Sequence, residues 1–579
     1  MDVEVTGCRE RIVSEQYYDV ITDYPLNRLE ESGFDLCAAD VDGQFHIVYI
    51  NRRDVIDAGR YLFQYRSVPK LYGLMQPGEF DPNNLIASGI LRAQGEPLNL
   101  TGRGVVVCFI DTGIDYTNPI FRDASGNSRI LAIWDQTIQE GPSPKGFDYG
   151  TEYTREELNR ALREDDPYSI VPSRDTQGHG TAMAGVAAGA GADYLGAAPE
   201  ADIVVVKLKE CKQYLREFYL LPSDVPAYQE NDIMLGVQYA DGFARQFNRP
   251  VVICLGLGTN SGDHEGNSAL GEYLRAVAGR PSRAAVVAGG NEGNAGHHYV
   301  GQLGNYDSNI GRVDGAGIAD NSQQDRVEIR VGENVKGFIL ELWGNVPDRF
   351  ILSVRTPGGE TVPAVRLGTG ESVTYDFVYE KTILTVAGEL VEPSSGEELI
   401  LLRVQDPTPG IWVFQVEAVG AVYNGNFHMW LPITQFIGGA VNFLEPAPDT
   451  TLTEPGMSEN VITVSTYDTA NNSFYILSGR GFTRTGRVKP DFAAPGVEIS
   501  IVRGTQTGSS LAAAITTGAV AQFMQWAVVE NNDDAVSGRE VKNYFIRGAA
   551  RESDLFYPNR EWGYGRLDVT GVFDNLVGI

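Results

Sequence analysis

Three short segments carry the residue types that acyl transfer needs. Val105–Gly113 (VVVCFIDTG) is an apolar run that ends in a carboxylate, Asp111, and then a glycine turn. In open α/β sheets, sites form at the carboxyl ends of strands, where an aspartate can orient a histidine and stabilise its charged form. Asp175–Gly189 (DTQGHGTAMAGVAAG) sets His179 between two glycines at the start of a helix of small residues. Small residues let such a helix pack closely and hold the imidazole rigidly. Histidine is also the commonest general base near neutral pH, with a free pKa of about 6.5. Gly504–Gly518 (GTQTGSSLAAAITTG) places Ser510 after a glycine loop, at the opening of another helix. There the positive end of the helix dipole would stabilise negative charge developing beside a nucleophile. Each residue alone also fits a plainer role: Asp111 in a turn, His179 as a structural histidine, Ser510 as a helix N-cap. Together, in the order Asp, His, Ser, they fit a nucleophile, its base and the carboxylate that orients the base.

The elements that must position these residues follow from the hydrophobic pattern. Val105–Ile110, Ile203–Val206, Val251–Leu255 and Ala284–Ala288 are unbroken apolar runs, as parallel strands buried on both faces require. Helix candidates such as Ile233–Gln246 and Ala269–Ala278 lie between them. This alternation predicts a doubly wound, mainly parallel α/β sheet. From about residue 322 to 440 the texture changes. Arg326–Val331, Lys336–Trp343, Arg349–Arg355, Ser372–Tyr379, Glu398–Val404 and Ile411–Ala418 are strand-like and separated by turn residues. That pattern predicts a β-sandwich, such as a jelly roll. The α/β texture then resumes with a strand at Val461–Ser465 and a long helix at Ser510–Val529, so the sandwich is inserted rather than appended. Residues 1–80 form a small α+β unit. It has strands at Phe34–Val41 and Gln44–Asn51 joined at Asp42–Gly43, a short helix at Arg52–Leu62 and an extended return at Phe63–Met75.

The three motifs in their order resemble the subtilase family of serine proteases, over about residues 85–320 and 440–579. That resemblance implies a subtilisin-like fold and an endopeptidase with Asp111, His179 and Ser510 as catalytic triad. It also implies roles for further segments. Ala288–Gly293 (AGGNEG) matches the family's oxyanion-hole segment, with Asn291 as side-chain donor; alone, Asn291 also fits a left-handed turn residue. Leu255, Gly256, Leu257 and Gly258 resemble the strand that pairs with substrate backbone. With Ala288, Gly289 and Gly290 they would wall the pocket for the residue before the scissile bond. Lys489–Gly496 (KPDFAAPG) matches the stretch upstream of the family's serine.

Departures are visible too. The family usually has G-T-S-M-A-S-P where this chain has G-S-S-L-A-A-A, with Ser509 beside the nucleophile and no proline. The long interval from Asp111 to His179 implies an inserted segment near Gln136–Asp166. The Ser-Leu-Ala-Ala-Ala form, the inserted sandwich and the small N-terminal unit resemble the clostridial Csp-type subtilases linked to spore germination. This implies that residues 1–75 are a prodomain, cut autocatalytically near Leu71–Gln76 and able to stay bound. Pro77 disfavours a cut directly after Gln76. The implied organisation is prodomain 1–75, catalytic domain 76–321 and 441–579, and β-sandwich 322–440. The competing reading is a catalytically silent binding or signalling protein on the same fold.

Composition bounds the partners. The 579 residues carry a net charge of −30, which disfavours nucleic acid as a ligand, because phosphate recognition needs basic patches. Protein or peptide substrates and the chain's own prodomain are the expected partners. No run of 18 apolar residues occurs, so no membrane span is expected. The first 20 residues lack the basic start and apolar stretch of a secretory signal, and a cytoplasmic or spore-associated protein is expected. Five cysteines, with no CxxC pair, give no support for a disulfide framework or a zinc site. The chemistry needs no cofactor. Structural calcium is known in many subtilases, but no loop here is assigned to it. A base that must be neutral implies that activity falls as the solution becomes acidic.

Overall fold

The protein is described from a computed structural model covering residues 8–24, 37–52, 65–74, 83–191, 194–304, 324–501 and 504–576. Among these residues the central sheet has nine strands. Its middle runs Ile462–Asp468, Arg283–Ala288, Val251–Leu255, Val106–Asp111, Asp202–Lys207, Ile130–Asp135, all parallel. The edges close with the antiparallel strands Ser473–Phe474 and Thr151–Thr154, and Phe492–Pro495 pairs beside Ile462–Asp468.

Successive residues of these strands feed two different cores. Val105, Val107 and Phe109 join one face with Val252, Cys254 and Val286, while Val106, Cys108 and Ile110 join the other with Ile253 and Val287. Both faces are therefore buried, which is why the strands are continuous apolar runs rather than alternating ones. On the first face lie the helices His179–Ala188 and Ser509–Met524, packed against each other. On the second lie Glu230–Phe247 and Ala269–Ala278. Length and composition alone would let Ser509–Val529 cross a membrane, with 21 residues and a mean hydropathy of 1.3, although it is not an unbroken apolar run. In the fold it is a core helix, with 83% of that window buried.

The sandwich has two antiparallel sheets. One is ordered His298–Gln302, Asn426–Trp430, Gly337–Gly344, Glu398–Gln405, Ile383–Glu389, Glu371–Asp376. The other is Thr361–Val365, Phe350–Arg355, Gly410–Ala418, Gln324–Val331, Val441–Phe443. Inward residues such as Val327, Leu340, Leu402, Trp412, Phe414 and Phe427 form its core. The sandwich takes in His298–Gln302, well ahead of residue 322, because that strand pairs with Asn426–Trp430.

The N-terminal unit is a three-stranded sheet, Tyr17–Thr22, Phe45–Asn51 and Cys37–Val41, with a helix at Cys8–Val13. The Asp42–Gly43 hairpin joins two of the strands, with both residues at positive φ. Most of the expected helix at Arg52–Leu62 lies outside the described residues, and so does Phe34–Leu36. Contrary to the reading of the cysteine count, Cys8 and Cys37 form a disulfide, their Cα atoms 5.5 Å apart. The first residue of the helix faces the first residue of the strand, a tertiary relationship that spacing does not encode. Cys108, Cys211 and Cys254 are free and buried.

This unit docks on the Glu230–Phe247 side of the catalytic sheet through Ile21, Val41, Phe45 and Ile47. Asp19 anchors it. One carboxylate oxygen pairs with Lys212, and the other accepts from Gln229 Nε2 at 2.6 Å and Asn231 Nδ2 at 3.2 Å.

Candidate active site

Asp111 is the last residue of the strand Val106–Asp111, and His179 is the first of the helix His179–Ala188. Nδ1 of His179 lies 2.8 Å from Asp111 Oδ1 and 3.0 Å from Oδ2, and the side chains are 5% and 1% exposed. An ionised carboxylate on Nδ1 fixes the tautomer with the proton on Nδ1 and leaves Nε2 to accept a proton.

Asp175, unassigned in the sequence reading, ties the two elements together. Its Oδ1 accepts from Thr112 Oγ1 (2.8 Å) and Gly178 N–H (2.7 Å), and its Oδ2 from Thr181 N–H (2.8 Å) and Oγ1 (2.7 Å). Thr112 Oγ1 in turn accepts from Gly180 N–H at 2.9 Å. The aspartate loop and the start of the histidine helix are thus one hydrogen-bonded unit.

Ser510 is the second residue of the helix Ser509–Met524 and is 1% exposed. The N-cap position belongs to Gly508, so Ser510 does not serve as a cap. Its helix packs on the histidine helix. Asn291, just beyond the strand Arg283–Ala288, accepts from Ser509 N–H through Oδ1 at 3.1 Å. With its oxygen held this way, the other arm of the amide is the donor Nδ2. Asn291 therefore lies beside the first turn of the serine helix, at the positive end of its dipole.

Leu255 ends its strand, and Leu257–Gly258 form a second, short one. A Cβ on Gly256 would lie 3.0 Å from His179 Cε1 and would overlap the Met183 sulfur, so only glycine lets this backbone approach the imidazole. Gly289 N–H donates to Val464 C=O at 3.0 Å, and Gly290 C=O accepts from Gly479 N–H at 2.9 Å. Thr453 sits between the two walls: a Cβ on Gly258 would be 2.8 Å from Thr453 Cβ, and one on Gly290 would be 2.6 Å from Thr453 Cγ2. Burial pushes the neighbouring Glu454 carboxyl up to about 8, with Asp263 adding repulsion. Among the described residues no three His, Cys, Asp or Glu side chains group as a metal site.

The cleft already holds a strand. Leu71–Leu74 lies between Tyr228–Gln229 and Leu257–Gly258, antiparallel to both. Leu74 pairs with Leu257 and Gly73 with Gly258, while Tyr72 pairs with Tyr228. The outer wall, Tyr228–Gln229, gave no sequence signal, because two residues are too few to show a period. Of the expected self-cleavage segment, Met75 and Gln76 lie outside the described residues.

Comparison with known proteins agrees with this architecture. The profile described as "Subtilase family" matches residues 102–323 and 419–565, interrupted where the sandwich is inserted. The solved structure of the CspB protease of Clostridium perfringens is 30% identical, with a TM-score of 0.74; the match covers 86% of this chain and all of that one. An uncharacterised protein of Aquifex aeolicus, aq_aa18, is 30% identical over 139 residues, which is 19% of this chain and 59% of that protein. The family profile spans more than half of the chain and contains Asp111, His179, Asn291 and Ser510; the chain belongs to the subtilase family, the subtilisin-like serine peptidases.

Proposed function

We propose that this subtilase is a self-processing endopeptidase whose own residues 1–75 are its first substrate. The observation that carries this reading is the strand Leu71–Leu74, held in the cleft by main-chain pairing on both sides, one residue short of the Gly256 backbone that abuts His179. Extended main-chain pairing is how a sheet edge takes a peptide irrespective of its side chains. The cut is assigned to Met75–Gln76, one residue along the chain from Leu74, the partner of Leu257.

In the proposed reaction Ser510 Oγ attacks the Met75 carbonyl carbon as its proton passes to His179 Nε2. Asp111 holds the imidazolium. Asn291 Nδ2 and the Ser510 N–H stabilise the oxyanion. Collapse breaks the C–N bond, and His179 gives its proton to the Gln76 amine. Water, deprotonated by the same histidine, then releases the acyl group and restores Ser510. Asn291→Ala is expected to lower turnover about 10²–10³-fold, the magnitude established for the equivalent donor in subtilisin.

The same strand blocks the cleft after the cut, and the buried Asp19 network retains it. The processed protein is thus held silent until the strand is displaced. The similarity to the Csp-type subtilases makes spore germination proteins the first substrates to try.

The test is the intact mass of freshly purified wild type beside Ser510→Ala. Two pieces from the wild type, the larger starting at Gln76, and one from the variant support the reading. Two whole chains, or two chains cut alike, contradict it.

A further inference from the structure

The inserted sandwich reaches into the cleft. Its last strands are joined by a turn, Thr434–Phe436, that lies over the bound strand. Gln435 Nε2 donates to Leu74 C=O at 2.9 Å. A Cβ on Gly73 would overlap Gln435 Nε2 and come within 2.7 Å of Gln435 Cδ and of Ile433 Cδ1.

Neither neighbour is free to withdraw at no cost. Ile433 is 1% exposed and packs in the catalytic core, and Gln435 could swing aside only by giving up its bond to the strand. The turn itself is pinned from the catalytic domain. Glu292, next to Asn291 and 5% exposed, accepts from Thr434 N–H (3.1 Å to Oε1) and Thr434 Oγ1 (2.9 Å to Oε2) and also contacts His297 Nδ1 at 3.0 Å. The loop that carries the candidate oxyanion donor thus also fixes the height of the roof.

We propose that Ile433 and Gln435 make this cleft selective for glycine at the position of Gly73. Its substrates are then extended peptides with a glycine three residues before the cut, flanked by apolar or aromatic residues as in Tyr72–Gly73–Leu74. This deepens the reading of Leu71–Leu74 as a bound substrate strand and rests on it. The turn is a specificity element: Gln435 both holds the strand and excludes any side chain from the glycine position. Inserting a methyl group into a packed site of this kind lowers the rate roughly 10- to 100-fold, if the clash is borne in the transition state.

The rate at which newly made chain splits in cell-free synthesis, followed by intact mass, tests this. Four chains are compared beside a Ser510→Ala control: wild type, Gly73→Ala, Ile433→Val with Gln435→Ala, and all three changes together. Ile433→Val removes only Cδ1, and Gln435→Ala removes the colliding amide. The expected result is that Gly73→Ala slows splitting at least about tenfold in the wild-type roof and less than about threefold in the lowered one. Recovery in the triple variant also shows that Gly73→Ala folds. Splitting of Gly73→Ala at the wild-type rate overturns the proposal, as does equal slowing in both backgrounds. A wild type that does not split, or a Ser510→Ala control that does, overturns the protease reading itself and this proposal with it.

Discussion

Both carboxylate oxygens of Asp111 lie within hydrogen-bond distance of His179 Nδ1, at 2.8 and 3.0 Å, in a site with almost no solvent. Asp111→Asn keeps the shape but presents an amide that can donate to Nδ1, which favours the wrong tautomer. It is expected to lower kcat about 10⁴-fold with little change in KM, read by peptide hydrolysis after removal of the N-terminal unit.

Four hydrogen-bond donors converge on Asp175 from the aspartate loop and the histidine helix. Asp175→Ala is expected to lower kcat roughly 10- to 100-fold, with KM little changed, by loosening both. Asp175→Asn, which keeps one acceptor, is expected to recover part of the loss. A purely structural role would lower thermal stability without this split between kcat and KM.

The Asp19–Lys212 pair is buried, with Asp19 2% and Lys212 3% exposed. Removing one partner leaves the other charged and uncompensated, which costs about 3–5 kcal/mol in comparable pairs. Asp19→Ala is expected to release the cut N-terminal unit, which then no longer copurifies with the larger piece. Its retention at wild-type level would show that the apolar face holds it alone.

Acid is expected to loosen the junction between sandwich and catalytic domain. His298 and His428 stack there with Trp430, and His298 Nε2 lies 2.9 Å from His428 Nδ1. Burial holds both well below the ordinary histidine value, His298 at about 3; His264 and Arg560 add to the effect at both, and His298 and Arg484 add to it at His428. The folded state therefore keeps these imidazoles neutral, while the unfolded chain takes up protons below about 6.5. Their contribution is complete above pH 6.5 and is lost as pH falls below it, by about 2 kcal/mol per imidazole at pH 5. His428→Asn should flatten the fall in melting temperature between pH 7 and pH 5. An unchanged slope would contradict this.

What was legible in the sequence had a local cause. The central strands showed because burial on both faces makes them continuous apolar runs, and Ala269–Ala278 showed through its helical period. Asp111, His179 and Ser510 showed because each sits at the end of a regular element inside a short motif. His298–Gln302 did not, since HYVGQ has no clear alternation and is a strand only by pairing with Asn426–Trp430. The Cys8–Cys37 bond, Asp175 and the outer wall Tyr228–Gln229 also depend on tertiary neighbours. Glu292 acts on Thr434 across 142 positions and Gln435 on Leu74 across 361, distances over which one sequence carries no pattern. In the sandwich, Thr361–Val365, broken by Pro363, and Ile383–Glu389, which ends in Gly388 and Glu389, were also missed.

The central claim is that Ser510, and not its neighbour Ser509, is a nucleophile activated by His179. The most direct measurement is labelling of the folded protein with a fluorophosphonate probe, after limited proteolysis has removed the N-terminal unit, with the adduct mapped by peptide mass. The account predicts one adduct per chain, on Ser510, abolished in His179→Ala. An adduct on Ser509, or none on a protein that still melts cooperatively, would contradict it.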